Sequence, residues 1–354
     1  MMNPDAIDGN SEADMLHTSI GGIVLKSCVY NASGPRCGTS VALDKIGESE
    51  SSVILSKSST LHKQDGNELP RFVKSIDLGQ GICNGSFNSE GLPNLGIDHY
   101  IAPDTLATLA RHGKPYMISL SGRSLDDNCD MLRRVLRAAH EDPHGYCIHG
   151  VELNVACPNV VGKPMIGYDM TQLKEVLHRI CTVFTTTAKE NRSSQVANSP
   201  NCDACVRLGI KLPPYMDSAQ AAQAIDLIIS HKDTITFVVS CNTIGNALFV
   251  DTDNECCSIS GKGGFGGLGG GYLKAIALAN TRTLSLLLHE RNVAHCIDIV
   301  AVGGIHSGDD AFQAILCGAS AIQLATVHWD EGPTCFGRIA EELRIIMKRK
   351  GFSC

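Results

Sequence analysis

Eight short apolar runs, separated by helical or long connecting segments, constrain the fold of this chain more than any other feature. They are "CVYNASG" from Cys28, "SVILSKSS" from Ser52, "PYMISLSG" from Pro115 and "GVELNVACPN" from Gly150. Four more follow: "RLGIKLPP" from Arg207, "TITFVVSCN" from Thr234, "IDIVAVGG" from Ile297 and "SAIQLAT" from Ser320. Such aliphatic and β-branched runs fit strands buried on both faces. Between two of them, Leu173, Val176, Leu177, Ile180, Val183 and Phe184 share one face of an amphipathic helix. Eight strands alternating with helices predict an α/β chain folded as a (β/α)8 TIM barrel rather than a six-stranded doubly wound sheet. Each run ends in small, polar or glycine-rich residues. In such a barrel the C-terminal strand ends carry the chemistry.

The 354 residues divide into a polar, acidic segment 1–15, expected to be disordered, and a single barrel domain over 16–354. Two segments depart from the repeat. Residues 61–98 are too long for an ordinary connection and predict a structured insertion over the barrel mouth. Residues 189–206 are polar and turn-rich and read as a mobile surface loop. A net charge of −7 without a long basic run argues against nucleic acid or an anionic membrane as partner. No apolar run reaches bilayer length, and the N-terminus lacks a signal-peptide pattern. Sixteen cysteines without a secretory signal point to reduced thiols in a cytoplasmic protein.

Cys202 and Cys205 form a lone C-x-x-C, short of the four ligands that zinc needs, so no metal is expected. The run "GGFGGLGGG", Gly263 to Gly271, contains a G-x-G-x-x-G match but does not directly follow a buried strand. It reads instead as a loop that lets backbone amides approach a ligand. Gly303-Gly304 and "LATVHW" end the last two runs, where barrels often bind phosphate. Lys57 and Lys211 end apolar runs, and burying them calls for an anion or an electron-rich cofactor nearby. Asn31, Asn88, Asn94, Asn154, Asn159, Asn242 and Asn246 fall in strand-end or mouth segments. Together they offer donors and acceptors for an amide- or imide-bearing ring. Cys157, between Asn154 and Asn159, reads equally as a buried small hydrophobe or as a reactive thiol.

The motifs "NASG", "SKSST", "NELPRF", "NSEGLPNLG", "NVACPNVVGKP", "IKLPP", "NTIGN", "GFGGLGG", "GGIHSG" and "EGP" resemble dihydroorotate dehydrogenase, in that family's order, over nearly the whole chain. The cysteine of "CPN" is similar to the soluble, fumarate-dependent class 1A branch. The resemblance implies an FMN-containing barrel that oxidises dihydroorotate to orotate in pyrimidine (UMP) synthesis. It implies a homodimer that passes electrons to fumarate, giving succinate. By motif, FMN would meet Ala32, Ser33, Gly34, Lys57, Ser58, Asn154 and Lys211, with its phosphate by Gly270, Gly303, Gly304, Ala325 and Thr326. Orotate would meet Lys57, Asn88, the backbone of Glu90, Gly91 and Leu92, then Asn154, Asn159, Asn242 and Thr243. Cys157 would be the base that takes the C5 proton, with Lys57 as its catalytic companion. A free thiol near pKa ~8.5 is partly ionised near neutrality, and nearby cations increase that share.

Three departures bear on the site. The family's "NSMGLPN" has Glu90 in the methionine position. If its side chain points away, only its backbone N–H matters; if inward, a carboxylate beside anionic orotate weakens binding. Thr243 replaces a serine. Ala325 replaces a glycine and adds a methyl group near the FMN phosphate. Two other readings remain open from the sequence. One is an NAD-linked class 1B subunit with an FAD and iron–sulfur partner; the other is a drifted paralogue that binds FMN or orotate with low activity.

Overall fold

The computed structural model describes residues 15–74, 85–141, 148–156, 165–193 and 206–352. All eight apolar runs form parallel strands: β1 (Val29–Asn31), β2 (Ile54–Leu55), β3 (Tyr116–Leu120), β4 (Ile148–Asn154), β5 (Arg207–Lys211), β6 (Ile235–Val239), β7 (Asp298–Val302) and β8 (Ala321–Leu324). Their hydrogen-bonded order is β1-β8-β7-β6-β5-β4-β3-β2, which leaves one seam between β1 and β2. Ser52 N–H donates to Val29 O (3.1 Å) across it. The Asn31 side chain completes the closure, accepting from Leu55 N–H (2.9 Å) and donating to Leu55 O (2.7 Å). Asn31 is fully buried there, so it is a seam residue and not one of the ring-binding asparagines anticipated from its strand-end position.

The surrounding helices are α1 (Ser40–Glu48), α2 (Pro103–Ala110), α3 (Leu125–Glu141), α4 (Met170–Ser193), α5 (Ser218–Ile229), α6 (Lys274–Glu290), α7 (Gly308–Leu316) and α8 (Thr334–Arg349). Local chemistry starts several of them. Thr39 caps α1 through Ala42 N–H, Asp217 caps α5 through Ala219 N–H, and Ser307 forms a capping box with Asp310 on α7. On α4 the anticipated face, Leu173, Val176, Leu177, Ile180 and Val183, is buried. That helix continues through Ser193, so the first five residues of the segment expected to be a loop are helical. Lys189 and Glu190 are exposed there, and charged side chains of this kind suit a helical turn as well as a loop. Residues 194–205, with Cys202 and Cys205, and the N-terminal residues 1–14 lie outside the described residues.

A hairpin of Thr18–Ile20 and Ile23–Leu25 packs against the barrel interior, its buried Ile20, Ile23 and Leu25 clustering with Met117, Phe237 and Val300. Its two-residue Gly21-Gly22 turn has φ of +55° and +85°, as a tight hairpin requires. Gly21 N–H donates to Asp298 at the start of β7 (2.7 Å).

At the opposite end the 61–98 insertion supplies two strands, Phe72–Lys74 and Gly85–Asn88, to a four-stranded antiparallel sheet. The other two, Ile244–Leu248 and Phe265–Gly270, come from the connection after β6. The glycine run read as a loop is therefore mostly a strand, paired on both sides. Glycines inside the strand are steric necessities. A Cβ at Gly266 would lie 2.6 Å from Asn88 O, and one at Gly267 would lie 2.4 Å from Thr243 Oγ1.

Candidate active site

The C-terminal strand ends and the antiparallel sheet enclose a cavity of about 660 Å³. From β1 it is lined by Ala32, Ser33 and Gly34, and from β2 by Lys57 and Ser58. Asn154 ends β4 and Lys211 ends β5, while Asn242 and Thr243 follow β6. The mouth sheet contributes Asn88 and Gly270, and the turn after it contributes Glu90, Gly91 and Leu92. Gly303 and Gly304 follow β7, and Ala325 and Thr326 follow β8. The structure thus brings together every described residue that the motifs assigned to the site. Cys157 and Asn159 lie outside the described residues; Ala156, the last described residue before them, lines the cavity. Asn94 does not line the cavity: its Oδ1 accepts from Thr60 N–H (3.1 Å) and Gly96 N–H (2.9 Å) and holds the start of the insertion. Asn246 does line it, in a left-handed conformation at φ +63°.

Two carboxamides meet on the cavity wall. Asn242 Nδ2 donates to Asn154 Oδ1 (3.2 Å), and Asn154 Nδ2 donates to Ser58 Oγ (3.2 Å). Each side chain is thereby oriented, which suits them to present fixed donors and acceptors to a planar ring.

Both buried lysines find their anions within the protein. Lys57 Nζ lies 2.9 Å from Glu90 Oε2, with the two side chains only 7% and 14% exposed. The Glu90 side chain therefore points inward. Lys211 Nζ lies 3.8 Å from Glu152 Oε1 and donates to Ser33 Oγ (3.4 Å). Glu152, fully buried at the centre of β4, also accepts from Ser33 Oγ (3.1 Å) and from Gln323 Nε2 (2.6 Å). Gln323 in turn donates to the buried Tyr30 hydroxyl (3.2 Å). Burial and then the charge of Glu152 push the Tyr30 phenol well above its ordinary range, so it stays protonated. Burial likewise pushes the Cys37 and Cys241 thiols up to about 12, leaving them inert beside the site.

Sequence reasoning missed this polar floor of Glu152, Gln323 and Tyr30. The signal was present, since a carboxylate inside the apolar run "GVELNV" needs a cation, and Lys211 ends the next strand. It also missed the rim. Trp329 stacks on Phe72 with centroids 4.3 Å apart, and Arg36 lies 4.5 Å over the indole. Both aromatic rings line the cavity.

Gln323 Oε1 is a buried acceptor on the cavity wall with no hydrogen-bond partner among the described residues. Gly303 (φ +118°), Gly304 (φ +73°) and Gly270 (φ +61°) have backbones that L side chains rarely adopt. A Cβ at Gly304 would lie 2.4 Å from that of Lys274. Such turns let main-chain N–H groups approach a ligand closely. Among the described residues, no group of His, Cys, Asp and Glu side chains is arranged to hold a metal ion, and no helix is long and apolar enough to cross a membrane.

A ligand-sized cavity at the C-terminal strand ends, lined by oriented carboxamides, two buried ion pairs and permissive glycine turns, defines a barrel enzyme for a polar small molecule. The particular family follows from sequence. The family model described as dihydroorotate dehydrogenase matches residues 15–347. The chain is 37% identical over 340 residues to dihydroorotate dehydrogenase A (fumarate) of Lactococcus lactis subsp. cremoris, covering 96% of each protein. It is 37% identical over 327 residues to dihydroorotate dehydrogenase (fumarate) of Saccharomyces paradoxus, covering 91% of this chain and 90% of that one. The fold is shared with the Eimeria tenella enzyme crystallised with ferulenol, at TM-score 0.70 and 19% identity, over 97% of this chain and 87% of that one. The chain belongs to the dihydroorotate dehydrogenase family and is an oxidoreductase acting on a CH–CH bond.

Proposed function

We propose that this chain oxidises dihydroorotate to orotate with FMN as its flavin and fumarate as electron acceptor, serving pyrimidine synthesis as a cytoplasmic homodimer. The observation that carries the reading is the convergence of Lys57, Lys211 and the Asn154–Asn242 pair in one cavity beside the glycine turns.

The cavity residues fit FMN. Gln323 Oε1, without a partner among the described residues, is an acceptor suited to a ring N–H, and the turns at Gly270, Gly303 and Gly304 suit a phosphate. Ala32, Ser33, Gly34, Ser58, Asn154, Lys211 and the Ala325-Thr326 turn would hold the rest. When bound, the flavin supplies the hydride acceptor that no side chain can provide.

The protein's own groups do the remaining work. Lys57 pairs with the substrate carboxylate. Asn88, Asn154, Asn159, Asn242 and Thr243 fix the pyrimidine ring, and the N–H groups of Glu90, Gly91 and Leu92 face it as further donors. Cys157 takes the proton from C5, which is acidified by the adjacent carbonyl. Lys211 supplies a fixed positive charge where electron density accumulates, and Glu152 and Ser33 hold its ammonium in place. Orientation of this kind contributes on the order of 7–11 kcal/mol at best.

The test is anaerobic. Dihydroorotate should bleach the flavin of the purified holoprotein, and fumarate should restore its colour. In Cys157→Ala the flavin should stay bound while bleaching slows by a factor of at least ~100. A holoprotein that dihydroorotate cannot reduce would overturn the proposal.

A further inference from the structure

The turn that presents Glu90 to Lys57 is held from all sides. Glu90 O accepts from Asn67 N–H (3.0 Å), and Leu92 O accepts from Asn94 Nδ2 (2.8 Å). Gly91 O accepts from Gln64, whose own Oε1 is gripped by Arg123 at 2.9 and 2.7 Å. Gly91 and Leu92 have φ of +68° and +55°, and a Cβ at Gly91 would lie 2.5 Å from Asn67 Oδ1. A leucine kept in the left-handed region costs on the order of 1–2 kcal/mol, which the surrounding bonds offset. All three carbonyls are tied back to the protein. Among the described residues, the N–H groups of Glu90, Gly91 and Leu92 donate to no protein acceptor. The backbone of the turn is therefore held in place by the protein, whereas the Glu90 side chain is tied only to Lys57 among the described residues.

Charge balance then limits what can bind. Lys57 Nζ has Glu90 as its sole hydrogen-bond acceptor among the described residues, and Lys211 already faces Glu152. Each ammonium in the cavity floor is thus neutralised by a carboxylate. A ligand anion arriving at Lys57 would place two negative charges on one buried ammonium, where low polarisability makes their repulsion strong. It must displace Glu90 to bind well.

We propose that Glu90 is a specificity-determining residue whose carboxylate competes with the substrate carboxylate for Lys57, so that the site admits an anion only by releasing its own. The inference rests on the reading of this cavity as a dihydroorotate site. Glu90 weakens binding of carboxylated pyrimidines and leaves uncharged pyrimidines unaffected, because only the former need Lys57.

Orotate and uracil binding to the holoprotein, measured by calorimetry, test this. Uracil has the same ring without the carboxylate. In Glu90→Gln, which keeps the shape and removes the charge, and in Glu90→Met, orotate Kd should fall about tenfold, or about 1.4 kcal/mol. Uracil Kd should not change, and KM for dihydroorotate should fall with orotate Kd. Unchanged or weaker orotate binding overturns the proposal, as does an equal gain for uracil, which would indicate added space and not released charge. Glu90→Asp shortens the reach to Lys57 by one methylene and provides the same orotate-to-uracil comparison if neither neutral variant folds. Failure of wild-type flavin reduction would strike the reading of the site, whereas an unmoved orotate-to-uracil ratio would strike Glu90 alone.

Discussion

Gln323 Nε2 donates to Glu152 Oε2 at 2.6 Å across the barrel interior, joining β8 to β4 beneath the cavity. With Lys211 3.8 Å from the other oxygen of the same carboxylate, one fully buried anion organises the floor of the site. Its removal therefore has consequences on both sides.

Glu152→Gln should destabilise the protein by about 3 kcal/mol, because it leaves the Lys211 ammonium buried without an anion. Glu152→Gln combined with Lys211→Gln should recover part of that loss, since no unpaired charge remains. Urea unfolding of the two single variants and the double variant closes the cycle. Additive losses would show that the pair is not coupled.

Trp329 is the only tryptophan of the chain and lines the cavity between Phe72 and Arg36. Adding FMN to flavin-free protein should quench its emission in proportion to occupancy. Trp329→Ala should lose the stacking with Phe72 and the contact with Arg36, roughly 1–2 kcal/mol together. Emission indifferent to FMN would place the flavin outside this cavity.

His328, buried on the turn of helix Thr326–Glu331, is pushed down to about 4 by burial and then by the Arg36 charge. The folded protein therefore keeps a neutral imidazole at pH values where the unfolded chain, with an ordinary value near 6.5, already binds a proton. The resulting stability is complete above pH ~6.5 and is lost as pH falls toward ~4, a change of about 3 kcal/mol. Below that both states are protonated and no further loss arises from this residue. Melting temperatures across this range should fall more steeply for the wild type than for His328→Leu; parallel curves would exclude His328 as the cause.

Gly304→Ala should cost more than Gly113→Ala, although both positions have positive φ. A Cβ at Gly113 meets nothing within 4 Å, so only backbone strain of about 1 kcal/mol applies. At Gly304 the same atom collides with Lys274 and must also distort the turn proposed to hold phosphate. Thermal melts and retained flavin, measured together, would show Gly304→Ala losing both. Equal effects at the two positions would count against a built turn.

The eight apolar runs were legible as barrel strands because burial on both faces leaves a local signature in residue type. The residues that end those strands were legible as a site for the same reason: barrel topology sends every strand's C-terminal end to one rim. The glycine run was misread as a loop, because glycine composition reports permissive backbone without saying which neighbours crowd it. Its strand character comes from pairing with Ile244–Leu248 and Gly85–Asn88, and Asn88, Thr243 and Ser86 crowd its glycines from those distant parts of the chain.

Asn31 and Asn94 looked no different from Asn154 and Asn242 in sequence. Position decided between them: the former face backbone groups across a seam and a turn, the latter face each other on the cavity wall. The presence of Lys57 and Lys211 at strand ends, and their need for anions, was determined by sequence alone, since a buried ammonium is costly wherever it occurs. That these anions include Glu90 and Glu152 was decided only by tertiary structure. An ion pair depends on which strands and turns become neighbours and which way each side chain points, and local sequence carries neither.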